Sequence, residues 1–269
     1  MKQRIITGII LGVIFFVVLM LGSFAFIGLI LLLALIGYKE FIAMNHFRVN
    51  SIPVWLGFLL TIMLTLPWDD RLYSDSLTPL IGVWAFLFVW LVLMVQSKNQ
   101  ITMDQIAMML FGAFYIGIGF HYMIEIRMLE SHGVFWVLFI CVCIWTTDSV
   151  AYFVGSTWGK HKLWPEISPK KSIEGAIGGI LGSIIVASMV CFFMPNYLTY
   201  TQALILGFFI AIIGQIGDLI QSALKRTKDI KDSGTIFPGH GGVLDRVDSW
   251  LMVFPIVYIF GEWFQLFTQ

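Results

Sequence analysis

The sequence predicts an all-α, polytopic integral membrane protein with about nine transmembrane helices, its N-terminus inside and its C-terminus outside. Three observations predict it. Of 269 residues, 59% are apolar and only 12% charged, whereas soluble domains run at roughly 45–50% and ~25%. Residues 5–38 carry no charge over 34 positions and residues 175–217 none over 43, and one bilayer crossing needs only ~20 apolar residues. With the N-terminus inside, 14 of the 16 Lys and Arg residues fall in inside segments, and only Arg71 and Arg127 fall outside; cytoplasmic loops concentrate such residues. The composition excludes a water-soluble globular enzyme, a disordered chain and a disulfide scaffold. Sixteen basic and sixteen acidic residues give a formal charge of zero, so no global field points to nucleic acid.

The spans follow in order. Residues 5–38 make two, broken near Gly22-Ser23. Residues 49–68 make a third, entered at Pro53 and left at Pro67. Residues 76–97 and 105–124 make the fourth and fifth. A sixth runs from about Gly133 to Val154 and contains Asp148. Residues 175–217 hold two more with a turn at Pro195-Asn196, the second reaching Asp218, and a ninth runs from about Ser249 to Phe267. Lys2 and Arg4 before an apolar run resemble a leader, but no small-x-small cleavage site follows, so a retained span is expected. The chain divides into 1–130, a transmembrane scaffold of about five spans, and 131–269, a catalytic region of about four spans with cytoplasmic loops 155–174 and 225–248.

Cys141, Cys143 and Cys191 lie in apolar runs and read as packing residues. His46, His121, His132 and His161 have no partners at metal-ligand spacing, which argues against zinc. Gly175 with Gly179, and Gly178 with Gly182, form small-xxx-small pairs, which point to close helix packing.

The chemistry should lie in the two charged loops. Segments 160–174 and 225–248 hold 15 of the 32 charged residues in 39 positions. Asp218 stands near the inner end of its span, with Ser222 and Lys225 four and seven residues on, so the three share a helix face. A carboxylate inside a membrane is costly unless it is paired or binds a cation. The stretch Gly234 to Gly242 holds four glycines, whose backbone N–H groups are free to form an anion-binding nest. Carboxylates mixed with Lys and Arg at a membrane face suit a site where Mg²⁺ bridges phosphate oxygens. A solvated loop obeying the positive-inside rule is the plain alternative. Asp148 reads either as a second polar anchor or as a helix–helix hydrogen bond with Thr146, Thr147 or Ser149. Ser168-Pro169-Lys170-Lys171-Ser172-x-Glu174 precedes the seventh span. Serines, lysines and a helix N-terminus suit a triphosphate, and juxtamembrane anchoring is the alternative.

Ser222-x-Leu224-Lys225-Arg226-x4-Lys231-Asp232-x-Gly234-x3-Pro238-x-His240-Gly241-Gly242-Val243-x-Asp245-Arg246-Val247-Asp248 resembles the signature of the phosphatidate cytidylyltransferases, or CDP-diacylglycerol synthases, without a departure. The resemblance implies that CTP and phosphatidic acid give CDP-diacylglycerol and pyrophosphate, a step of phospholipid biosynthesis. It implies a Mg²⁺-dependent site at the cytoplasmic face of the cell membrane, with a monovalent cation such as K⁺ as a candidate second ion. The family's metal-binding aspartates fall on Asp218 and Asp245, with Asp148 and Asp248 as candidate assistants. The candidate catalytic set is Asp218, Asp245, Lys225, Arg226, Arg246 and His240. The candidate substrate-binding set is Ser168, Lys170, Lys171, Ser172, Ser222, Gly241 and Gly242. Implied partners are CTP, phosphatidic acid and the lipid bilayer, with no nucleic acid; a homo-oligomer stays open. The rival readings are a transporter or channel using Asp148 and Asp218 as coupling sites, and a polyprenol or phytol kinase.

Overall fold

The computed structural model describes residues 2–68, 78–130, 132–237, 241–264 and 266–267, with side chains from Thr7 onward. The described residues form nine helices and one hairpin: α1 (Lys2–Leu21), α2 (Ser23–Met44), α3 (Ile52–Thr65), α4 (Pro79–Gln96), α5 (Met103–Met128), α6 (Gly133–Trp158), β1 (Lys162–Trp164), β2 (Ser168–Ser172), α7 (Ile173–Phe193), α8 (Tyr200–Arg226) and α9 (Leu244–Trp263). Six of them, α2 and α4 to α8, are long and apolar enough to cross a membrane. In a bilayer no water satisfies backbone N–H and C=O groups, so apolar runs become helices. The chain is a helical membrane protein.

Three elements differ from the sequence expectation. Helix α3 has 14 residues, only ~21 Å at 1.5 Å per residue. It stops because Leu66 precedes Pro67 and is extended, with φ −67° and ψ 151°; a residue before proline is disfavoured in the helical region. Helix α9 begins at Leu244 rather than near Ser249, so Asp245, Arg246 and Asp248 are helical. The first charged loop is not wholly irregular. Helix α6 continues to Trp158, and the remainder folds into the antiparallel β1–β2 pair, with Lys162 opposite Ser172 and Trp164 opposite Ser168. A polar segment outside the apolar helices still has to pair its backbone groups, and the hairpin does so locally.

The chain forms two compact units, Met1–Glu125 with Asp232–Asp245, and Ile126–Lys231 with Arg246–Gln269. In the first, α1 and α2 are joined through the single residue Gly22 at φ +118°, a conformation that favours glycine. Phe26, Ile30, Ala34, Tyr38 and Phe41 form the buried stripe of α2, at the 3–4 residue spacing of one helix face. The Tyr38 hydroxyl donates to the Met109 carbonyl at 3.3 Å, and the Trp90 indole donates to the Pro53 carbonyl at 2.9 Å.

In the second unit, α6 and α7 pack backbone to backbone. A Cβ at Gly175 would stand 2.7 Å from the Ala151 carbonyl oxygen, and one at Gly179 2.9 Å from that of Thr147. This close approach is what small residues permit between membrane helices. Helix α9 meets α8 in the same way: a Cβ at Gly217 would lie 2.8 Å from the Asp248 carbonyl oxygen. There the Ser249 hydroxyl donates to the Gly214 carbonyl at 3.0 Å.

Candidate active site

The second unit contains a cavity of about 390 Å³ lined by Asp148, Lys170, Lys171, Ser172, Gln215 and Asp218, among others. Each polar group reaches it for a local reason. Asp148 comes from the C-terminal half of α6 and Asp218 from that of α8, while β2 carries both lysines. Ser172 ends β2 and caps α7, its hydroxyl accepting from the Gly175 N–H at 3.2 Å. The Lys171 ammonium pairs with the Asp218 carboxylate at 2.7 Å and donates to the Gln215 carbonyl at 3.4 Å. The Ser222 hydroxyl donates to Asp218 Oδ1 at 3.4 Å, as their shared helix face predicts.

The α8–α9 contact at Gly217 brings Asp248 beside this group. The charges of Asp148, Asp218 and Asp248 act on one another, with Lys171 and Arg246 acting on Asp148 and Lys225 on Asp248. Lys225 is buried and Arg246 exposed. Thr147 is not a partner of Asp148, because its hydroxyl donates to the Cys143 carbonyl of its own helix at 2.8 Å.

The hairpin is held from both ends. The Glu174 carboxylate accepts from the Lys160 N–H at 3.1 Å and the His161 N–H at 3.2 Å, and contacts His161 Nδ1 at 2.7 Å. Arg226 donates through Nε to the Ile167 carbonyl at 3.3 Å and through Nη1 to that of Ile230 at 2.9 Å. Arg226 therefore ties two loop segments together and does not line the cavity. Ser168 begins β2 and is likewise outside the lining.

The other predicted residues belong to the first unit. Asp245 Oδ2 accepts from the Ser233 N–H at 2.8 Å and the Gly242 N–H at 2.9 Å, and lies 3.0 Å from the Ser233 hydroxyl, whose single proton it shares with Glu40. Gly241 sits at φ +80°, the turn that lets Gly242 face Asp245, and its carbonyl accepts from the Phe237 N–H at 3.0 Å. The Gly242 N–H expected in an anion nest is thus occupied by Asp245. His240 lies outside the described residues, as does Arg71.

One residue of this region was missed in the sequence. Glu40, near the end of α2, is buried and accepts from the Val243 N–H at 2.9 Å, the Leu244 N–H at 3.0 Å and the Ser233 hydroxyl at 3.0 Å. The rule that flagged Asp218 would have found it, since Glu40 is an ionisable residue followed by further apolar helix.

Among the described residues, no three His, Cys, Asp or Glu side chains stand ready as a metal cage. Mg²⁺ seldom requires one, because it keeps waters and is held by one or two carboxylates together with substrate phosphates. The adjacent Asp148, Asp218 and Asp248 supply hard oxygen donors of that kind.

Helices of membrane-crossing length, with a cavity that mixes carboxylates and lysines, define the class: a helical membrane protein with a charged cavity. Residues 2–264 match the Cytidylyltransferase family, and the chain belongs to it. Its relatives include proteins named phosphatidate cytidylyltransferase. That of Bacillus subtilis (strain 168) is 41% identical over 260 residues, covering 96% of each chain. Those of Staphylococcus epidermidis (strain ATCC 12228 / FDA PCI 1200) and Staphylococcus haemolyticus (strain JCSC1435) are each 40% identical, covering 96% of this chain and 98% of the relative.

Proposed function

We propose that the chain is a nucleotidyltransferase that joins CTP and phosphatidic acid into CDP-diacylglycerol, releasing pyrophosphate. The observation that carries this reading is the match to relatives of that name over nearly the whole of both chains. The cavity residues fit it. An oxygen of the lipid phosphate attacks the α-phosphorus of CTP in line, the new P–O bond forms, and the bond to the β-phosphate oxygen breaks with pyrophosphate leaving. The attacking oxygen is already anionic, so the barrier is chiefly repulsion between two polyanions, and positioning with charge neutralisation is the main task. Lys170 and Lys171 on β2 bind phosphate oxygens, and Lys225 and Arg246 offset the carboxylates. Asp218, with Asp148 or Asp248 assisting, would hold Mg²⁺, which when bound neutralises phosphate charge. Asp245 is the family's second metal aspartate, and K⁺ is a candidate second ion. Lys171, which pairs with Asp218 at 2.7 Å, would be free to bind the nucleotide phosphates if Asp218 held a cation.

The membrane topology belongs to the same proposal: nine crossings in the cell membrane, N-terminus inside, with the site on the cytoplasmic face. The 14:2 distribution of Lys and Arg supports it. There a bilayer lipid and cytosolic CTP can both reach the cavity. The rival readings, a transporter and a polyprenol or phytol kinase, find no support in the names of the relatives. The test is pyrophosphate release by the purified protein with CTP, phosphatidic acid and Mg²⁺. Release that requires all three is expected, and no release with all three supplied overturns the reading.

A further inference from the structure

Glu40 stands far in sequence from every residue of the signature, yet it is bonded to that segment at three points. The bonds to Ser233, Val243 and Leu244 span 193, 203 and 204 residues. Val243 and Leu244 enter α9, whose first N–H groups have no carbonyl partner within the helix. A carboxylate there satisfies two of them and is favoured by the positive end of the helix dipole. Gly234 and Gly242 pack against the Glu40 carboxylate, and at Gly242 a Cβ would overlap it.

The third bond extends the effect. The Ser233 hydroxyl is 3.0 Å from Glu40 Oε2 and 3.0 Å from Asp245 Oδ2, so this one side chain contacts both carboxylates. Glu40 holds the backbone just before Asp245, and Ser233 connects it to the Asp245 carboxylate itself. We propose that Glu40 is a positioning residue for the transfer reaction: it fixes Asp245 by capping α9 and by anchoring Ser233, and it contacts neither substrate. This rests on the cytidylyltransferase reading for its kinetic arm.

Glu40→Gln keeps the size and one acceptor but turns the other oxygen into an amide donor, which cannot receive a backbone N–H. The expected result on the full-length protein is a kcat at least tenfold lower, with the KM for CTP changed less than threefold. Amide hydrogen exchange supplies the readout that a local cap would not move. If Glu40 positions Asp245, exchange accelerates at least tenfold at Ser233 and Gly242, which are bonded to Asp245, as well as at Val243 and Leu244. Acceleration confined to Val243 and Leu244, or an unchanged kcat, overturns the proposal. Ser233→Ala removes the shared hydroxyl while sparing both backbone bonds to Glu40. It should lower kcat in the same sense, and wild-type kcat in Ser233→Ala also overturns the proposal, even if Glu40→Gln does not fold. The exchange measurement needs no substrate. A wild-type protein without pyrophosphate release would sink the cytidylyltransferase reading and leave the exchange result to stand or fall by itself.

Discussion

Carboxylates are treated in opposite ways in the two units. In the first, Glu40 and Asp245 are surrounded by donors: three backbone N–H groups bond Asp245 or Glu40 within the segment Gly242 to Leu244, and Ser233 adds its own N–H and its hydroxyl. In the second, Asp148 and Asp218 line an open cavity with the Lys171 ammonium as the close ion pair of Asp218, and they act on each other and on Asp248, which accepts from the Ser249 N–H at 2.8 Å. A carboxylate satisfied by backbone N–H groups holds its loop in shape. Carboxylates set beside one another store repulsion that a cation relieves. The same residue type is thus held by its loop in one unit and set against like charge beside a cavity in the other.

Substitutions can break or sharpen this contrast. The largest effect is expected for Asp218→Asn, with pyrophosphate release falling by ~10³, as when a main electrostatic group of a transition state is lost; its chromatographic profile should remain that of folded protein. Lys171→Met removes the cation paired with Asp218. It should raise the KM for CTP by roughly ten- to a hundredfold, the worth of a hydrogen bond to a charged group, in steady-state titrations. The contrast itself is tested by a pair of variants. Asp245→Asn puts an amide donor against donors in its loop and should lower stability by about 1–3 kcal/mol. Asp248→Asn removes one of three mutually acting carboxylates and should leave stability unchanged or raised within ~0.5 kcal/mol. Thermal midpoints in one detergent compare them, and equal losses would abolish the distinction. Ser172→Ala removes the α7 cap and should cost about 1 kcal/mol, read in the same melts.

Much of the fold was legible because lipid leaves a chain few options. The break at Gly22 and the turn at Pro195 fell where charge-free runs exceeded one crossing; α1 ends and α2 begins around the first, α7 and α8 around the second. Much of the cavity was legible for a related reason: a charge inside an apolar run has to be accounted for, which singled out Asp148 and Asp218. Lys170 and Lys171 were visible as candidate site residues, and both line the cavity. The backbone on which they sit was not, because the β1–β2 pairing depends on Glu174 and Arg226 reaching across from elsewhere. The anion nest expected at Gly241 and Gly242 looked available in sequence because nothing local showed Asp245 as the acceptor for the Gly242 N–H.

The sequence by itself determined that this chain is helical, that it belongs in a membrane and that its charge is massed in two loops, because transfer of apolar surface out of water depends on local runs of residues. Only the tertiary structure decided which carboxylates are bonded within a loop and which face a cavity. Glu40 and Leu244 are 204 residues apart, and hydrogen bonding is a short-range force that acts only once folding has brought such groups within about 3 Å.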